Sequence, residues 1–117
     1  MIRIGSPPGI DAMNEFIFLG VGPEPTRLWG GTPLFNLIDG IKLLRFCEEH
    51  NAAVLGIEGF KVIGDKRVPD LGCIADFSTL VVAAGENFPE ASRKSARCFI
   101  DSILDDDILL EFVLVKT

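Results

Sequence analysis

Apolar residues along the chain form strand-like runs of period two and helix-like stripes of period 3.6. The first run, Phe16–Val21, predicts a strand that is covered on both faces, and the motif GPEP ends it. Upstream, the prolines and glycines of GSPPG predict that residues 1–12 form a flexible arm, or an extension before a natural start at Met13. The rest of the chain, residues 13–117, is expected to be a single domain.

The next stripe predicts a helix with clear boundary signals. Thr32 is expected to be its N-cap, and Pro33 is expected to occupy its first helical position. Asn51 is expected to end the helix in the left-handed conformation. The apolar positions that follow helical spacing are Leu34, Leu37, Ile38, Ile41 and Leu44.

The C-terminal part predicts a second helix and a final strand. The helix is expected to run from Pro89 to about Leu104, with Glu90 and Lys94 as an i,i+4 pair on its outer side. The acidic run Asp105–Asp107 breaks the pattern, and Ile108–Val115 is strongly apolar. The predicted inward positions are Ala96, Phe99, Ile100 and Ile103 on the helix, and Leu110, Phe112 and Leu114 on the strand, with Glu111 on the opposite face.

The segment AVLGIEGFKVIG, residues 53–64, is strand-like but has a carboxylate and two glycines at its centre. Strict alternation from Leu55 would place Lys61 in the core. A bulge at Gly59 corrects the pattern, because glycine accepts positive φ without a Cβ clash. The inward positions are then Leu55, Ile57, Phe60 and Val62, and the outward positions are Glu58 and Lys61.

After this strand the turn signal GDK predicts a short hairpin that returns through Arg67 and Val68. Pro69 is expected to stop the returning arm or to confine it to a sheet edge. Residues 71–84 fit a helix through their apolar spacing and a strand through TLVVA, and the pattern leaves both open.

The order of elements predicts an α+β fold. We expect a two-layer sandwich with a mostly antiparallel or mixed sheet of about four to five strands and two main helices. If residues 71–84 were a helix on the other side of the sheet, a three-layer arrangement would result.

Charge and cysteine content narrow the class of protein. A net charge of −6, from 17 acidic and 11 basic residues, opposes nucleic-acid binding and permits a basic protein partner, although a charge of this size also suits solubility alone. No apolar run approaches the ~18 residues of a membrane span. Three scattered cysteines without a CxxC motif, and no signal-peptide pattern at the N-terminus, predict reduced thiols in a cytoplasmic protein.

The residues that carry chemistry do not complete a recognisable active site. His50 is the single histidine, and a helix-end role fits it better than that of a catalytic base or a zinc ligand. There is no phosphate-binding GxxxxGK[ST] loop. We therefore expect no enzyme activity and no cofactor or metal. The remaining candidates are carboxylates: Glu58, Asp70, Asp76, Asp105, Asp106, Asp107 and Glu111.

Three segments carry a resemblance to a known class of protein. AVLGIEGFKV, VPDLGCIADFS and the acidic stretch that leads into LLEFVLV resemble immunity proteins of bacterial polymorphic-toxin and contact-dependent growth-inhibition systems, over roughly residues 34–115. Such proteins are small, acidic, cytosolic inhibitors that each bind one toxin domain, often a nuclease. The resemblance implies that Glu58 and Asp76 occupy family-pattern positions.

The expected function is therefore neutralisation of a cognate, basic toxin domain by protein–protein binding. The predicted partner-binding residues are Glu58, Asp76, Asp105, Asp106, Asp107 and Glu111. Two alternatives stay open at this point. One is another protein- or ligand-binding module with a pocket near Gly59, and the other is a small enzyme that uses Glu58 and Asp76 as acid and base.

Overall fold

The computed structural model describes residues 22–116, and the predicted arm and the predicted strand Phe16–Val21 lie outside them. The described part has an α+β fold, as predicted, but its five strands form two antiparallel sheets rather than one. The element order is β1 (Arg27–Trp29), β2 (Thr32–Leu34), α1 (Leu37–Glu49), β3 (Ala52–Ile63), β4 (Lys66–Asp76), α2 (Phe88–Ser102) and β5 (Leu109–Lys116).

The larger sheet has the order β4-β3-β5, and the hairpin β1-β2 forms the smaller one. The two sheets meet where Phe35 and Leu110 exchange backbone hydrogen bonds of 2.9 and 2.7 Å. Residues 77–87 contain neither helix nor strand, so neither prediction for the later part of 71–84 is correct. The described residues therefore form two layers, and the three-layer alternative is wrong.

Both helices pack against the same face of the larger sheet and bury a single apolar core. The inward positions predicted for the second helix and the last strand are confirmed, because all of them belong to this core or pack against it. Within residues 22–116, neither helix is long and apolar enough to cross a membrane. The largest fully buried apolar side chains include Phe35, Leu34, Leu43, Ile108, Leu110, Leu114 and Val54.

The first helix begins at Leu37, and a short hairpin occupies its predicted start at Pro33. Thr32 and Pro33 belong to β2, because Gly30 and Gly31 both adopt positive φ and turn the chain back onto β1. The true N-cap is Asn36, whose Oδ1 accepts a hydrogen bond from the backbone N–H of residue 39 at 2.7 Å. Thr32 and Pro33, which resemble a helix N-cap followed by proline, therefore lie in a strand.

The other helix ends agree better with the sequence. Asn51 has a φ of 53°, so the left-handed ending of α1 is confirmed. Helix α2 begins one residue before Pro89, and Asn87 caps it by accepting the N–H of Glu90 at 2.9 Å. Glu90 and Lys94 lie 3.9 Å apart, as the i,i+4 spacing predicted. Ile38 is the exception to the apolar stripe of α1, since 71% of it is exposed.

The irregularity predicted at Gly59 exists, but the extra residues lie on the neighbouring strand. Between two rungs of the β3–β4 ladder, β3 contributes Gly59 alone, whereas β4 contributes Asp70–Cys73. We call Asp70–Cys73 the β4 bulge. Its flanking rungs are Glu58 with Ile74 and Phe60 with Pro69.

Strand β3 itself alternates regularly through Gly59 where it pairs with β5. Its own bulge is at Leu55, whose carbonyl accepts the N–H of Phe77 at 2.8 Å. Val54 and Ile57, on either side of this bulge, are both buried in the core. Leu55 is only half-buried, so its predicted inward orientation is wrong.

Regular alternation also reverses three other predicted orientations. Phe60, Val62 and Glu58 lie on the face of the larger sheet against which no helix of residues 22–116 packs, because the register with β5 and β4 places them there. We call it the helix-free face. Lys61 lies on the helix side, where its Nζ reaches Asp105 at 2.7 Å. The inward orientation of Ile57 and the outward orientation of Glu58 are confirmed.

The reason for a glycine at position 59 is close approach, not positive φ. Among the described glycines, positive φ occurs at residues 30, 31, 64 and 85 but not at Gly59. A Cβ built on Gly59 would lie 2.6 Å from the Cβ of Cys73. The missing side chain therefore lets the β4 bulge pack directly onto β3.

Strand β4 continues well beyond the predicted stop at Pro69. Among the described residues β4 has β3 as its single strand neighbour, so it is an edge strand, as the alternative prediction for Pro69 required. A proline there costs no ladder hydrogen bond if its nitrogen faces away from β3. The hairpin is therefore long, and β4 extends to Asp76.

The three thiols differ in burial and should differ in reactivity. Burial raises the pKa of the Cys47 thiol to about 12, and Cys98 is exposed. Because the thiolate is the reactive form, we expect iodoacetamide at pH 8 to alkylate Cys98 first and to leave Cys47 unmodified in the folded protein. Mass spectrometry of digested samples would measure this, and rapid native labelling of Cys47 would contradict the packing.

Candidate partner-binding surface

The sheet divides the six predicted partner-binding residues into two groups. Glu58, Asp76 and Glu111 lie on the helix-free face. Glu58 pairs directly with Glu111 on β5 and is the diagonal neighbour of Asp76 on β4. The run Asp105–Asp107 lies after α2, where its first member contacts Lys61 on the helix side. The six residues therefore do not form a single surface.

Glu111 belongs to the interior of the fold. It is 3% exposed and forms an ion pair with Arg67, whose guanidinium stacks 3.5 Å above the ring of Phe60. Burial lowers the pKa of Arg67, and the charge of Glu58 opposes this shift. A side chain this buried is not available for direct contact with a partner, which contradicts the assignment of Glu111 to a partner-binding surface.

Glu58 and Asp76 share a face, but Asp76 is engaged in a local turn. Its Oδ1 accepts hydrogen bonds from the N–H of Ser78 at 2.9 Å and from the Ser78 hydroxyl at 2.6 Å. These bonds lower the pKa of the Asp76 carboxyl, because they favour its charged form. The Asp76 carboxylate is therefore held in a local turn by Ser78.

The second group lies within a larger cluster of charges. Lys61 Nζ is 2.7 Å from Asp105 Oδ2, and the charges of Asp70 and Asp107 also raise the pKa of the Lys61 ammonium. The same contact with Lys61 lowers the pKa of Asp105. We call this cluster, Lys61, Asp70, Asp105, Asp106 and Asp107, the acidic end of the sheet.

In the acidic end three carboxylates, those of Asp70, Asp105 and Asp107, act on one ammonium group, and Asp106 lies beside two of them. Carboxylate oxygens of Asp105, Asp106 and Asp107 lie within 4.8 Å of one another and could approach a cation. Lys61 already neutralises Asp105, so a metal ion would compete with a bound ammonium group. The surface suits a partner that brings several positive charges of its own.

The aspartate run was predicted as a partner-binding segment, whereas Asp70 was only one of the candidate carboxylates and Lys61 was not a candidate. Asp70 comes from the β4 bulge, and its position depends on a register that no local pattern specifies. Lys61 had given a signal, because strict alternation placed it on the helix side. The structure shows that this placement was correct and that a carboxylate meets it there.

Two exposed leucines flank the acidic end. Leu71 follows Asp70 on the β4 bulge and is 83% exposed, and Leu104 precedes Asp105 and is 97% exposed. The bulge is held locally, because Asp70 Oδ1 accepts the N–H of Gly72 at 3.0 Å. Large apolar side chains beside a set of charges are a typical feature of protein–protein contact surfaces.

Beside Gly59, Cys73 and Ile108 fill the space that a side chain at this position would occupy. An open groove of about 500 Å³ lies between α1 and α2, and Ile41 and Leu44 are its apolar lining residues. Its basic side chains are largely engaged, since Lys94 pairs with Glu86 and Arg97 with Asp101. Its further lining residues are Arg45, Glu48, Glu90 and Arg93.

Comparisons with known proteins add no relative to this description. No protein-family model matches the sequence, and neither the curated proteins nor the solved structures gave a match.

Proposed function

We propose that this chain is an inhibitor that binds a basic protein domain through the acidic end. The observation that carries the proposal is the gathering of carboxylates from two separate segments: Asp105 contacts Lys61, the charges of Asp70 and Asp107 also act on Lys61, and Asp106 lies beside Asp105 and Asp107. The resemblance of the sequence to immunity proteins supplies the kind of partner. The bound domain would be a cognate toxin, and the inhibitor would act by occupying its basic surface.

Binding fits the geometry better than turnover does. Asp76, one member of the predicted acid–base pair, lies in a turn whose hydrogen bonds lower its pKa. Cys47 is a buried thiol whose pKa is raised to about 12. Neither group is prepared for proton transfer or nucleophilic attack near neutral pH. The acidic end, in contrast, needs no further group in order to attract a cationic surface.

The physical basis of the proposal is electrostatic steering. A chain with a net charge of −6 that concentrates carboxylates at one end attracts a basic partner before contact is made. At physiological ionic strength the attraction extends over about 8 Å. Charges of this kind act mainly on the association rate, whereas buried apolar anchors determine the dissociation rate.

The test is the association rate with the toxin domain encoded beside the gene for this chain. We expect the double substitution Asp106→Asn, Asp107→Asn to slow association about threefold or more at low salt, with a smaller effect as salt is added. Both side chains are exposed, and the Lys61 contact is left intact. Stopped-flow fluorescence would measure the rates.

A matched control removes the same charge elsewhere. Glu48→Gln with Glu49→Gln changes two adjacent exposed carboxylates at the end of α1. If this pair slows association as much as the aspartate pair, net charge alone explains the effect and the acidic end is not the contact surface. If the wild-type chain binds no domain of the adjacent product, the proposed function is wrong.

A further inference from the structure

The charges of the acidic end do not explain why β4 carries a bulge beside them. It inserts Asp70–Cys73 opposite a single residue of β3, and Gly59 lacks a side chain so that the bulge can pack closely. Bulges next to functional sites commonly re-aim a side chain. Here the re-aimed side chain is Leu71, which is 83% exposed although it belongs to an ordered strand.

The bulge also makes the edge of β4 a poor template for an added strand. Pro69 has no backbone N–H to donate, and the β4 bulge interrupts the regular spacing immediately after it. A partner would therefore not extend the sheet along this part of the edge. A protruding leucine instead fits a pocket on the partner.

We infer that Leu71 is the apolar anchor of the partner interface and that it inserts into an apolar pocket whose rim is basic. The inference rests on the proposed function and names the contact that holds the complex together. The charge of the rim follows from the neighbours of Leu71, since Asp70 precedes it in the chain and the charge of Asp70 acts on Lys61, whose Nζ lies 2.7 Å from Asp105. A polar rim around a buried apolar core is the usual arrangement of a protein–protein interface.

The anchor is held in place before binding. Gly59 contacts Cys73 on one side of Leu71, and the hydrogen bond between Asp70 and Gly72 spans it. A side chain on a fixed turn loses less conformational entropy on binding than one on a mobile loop. Leu104, which is 97% exposed and precedes Asp105, is the second apolar side chain of the same surface.

The experiment compares dissociation rates from the toxin domain encoded beside the gene, measured by surface plasmon resonance. We expect Leu71→Ser to raise the dissociation rate about tenfold, which corresponds to 1.4 kcal/mol, and to leave the association rate nearly unchanged. Leu104→Ser should raise it by a smaller factor. Thermal unfolding should be unaffected in both variants, because the two side chains are exposed.

The matched control is Val81→Ser, which truncates another exposed apolar side chain, 91% exposed, outside helices and strands. Equal dissociation rates for wild type, Leu71→Ser and Val81→Ser would overturn the anchor while leaving the proposed function intact. Absence of binding by the wild-type chain would overturn the proposed function and the anchor with it. A rise in the dissociation rate for Leu71→Ser alone would support both.

Discussion

Replacing Gly59 by valine should destabilise the protein by about 3 kcal/mol, in the upper range of overpacking substitutions. The new Cβ would lie 2.6 Å from the Cβ of Cys73 and 3.1 Å from its carbonyl oxygen, so the β4 bulge would have to move. Ile108 lies at 3.2 Å on the core side and leaves no room there. Urea denaturation of the wild-type and variant proteins would measure the loss.

A second variant measures how much of this cost comes from the Cys73 side chain. In a Cys73→Gly background the nearest clash is gone, so Gly59→Val should cost at least about 1 kcal/mol less than in the wild-type chain. An equal cost in both backgrounds would mean that the contact with the Cys73 side chain is not what requires glycine at position 59. Gly72→Ala is the control, because the nearest atom to its Cβ would be Asp70 Oδ1 at 3.4 Å.

Replacing Arg67 by methionine should cost about 3 kcal/mol, as expected when one partner of a buried ion pair is removed. Glu111 is 3% exposed, and the Arg67 side chain is 20% exposed, so solvent screens their interaction only weakly. Methionine keeps an apolar chain over the ring of Phe60 and mainly removes the charge. The free energy of unfolding at pH 7 is the measurement.

An exposed pair provides the comparison for Arg67. Arg97 is 3.1 Å from Asp101 on the surface of α2, with both side chains more than half exposed. Surface pairs of this kind contribute little, so Arg97→Met should change stability by less than about 0.5 kcal/mol. If the two arginine variants lose equal stability, the Arg67–Glu111 pair contributes no more to stability than a surface ion pair does.

Local patterns predicted the elements that one segment determines by itself. The second helix and the alternation of the last strand follow from apolar spacing, and Asn51 ends α1 as its backbone preference suggests. The prediction for the start of α1 was wrong because a strand pairing competed with the cap signal: Thr32 and Pro33 are paired with β1. Pairing between segments is a tertiary property, and residue preferences describe it poorly.

The residues of the candidate surface likewise divide into those that a local pattern predicts and those that only the pairing of strands brings together. The run Asp105–Asp107 is visible in the sequence, whereas Asp70 joins it only through the register of the β4 bulge. Glu111 was misassigned because alternation gives the face on which a residue lies and not what covers that face. A bulge was expected to present Glu58, but the structure places the extra residues on β4, where they present Leu71.

The most direct test of the account is growth of cells that express the adjacent gene product with and without this chain. We predict that the wild-type chain restores growth and that the triple variant Leu71→Ser, Asp106→Asn, Asp107→Asn does not, although it folds and accumulates equally. Restored growth by that variant would contradict the acidic end as the contact surface. An adjacent product that is harmless by itself and is not bound by the purified chain would contradict the inhibitor function.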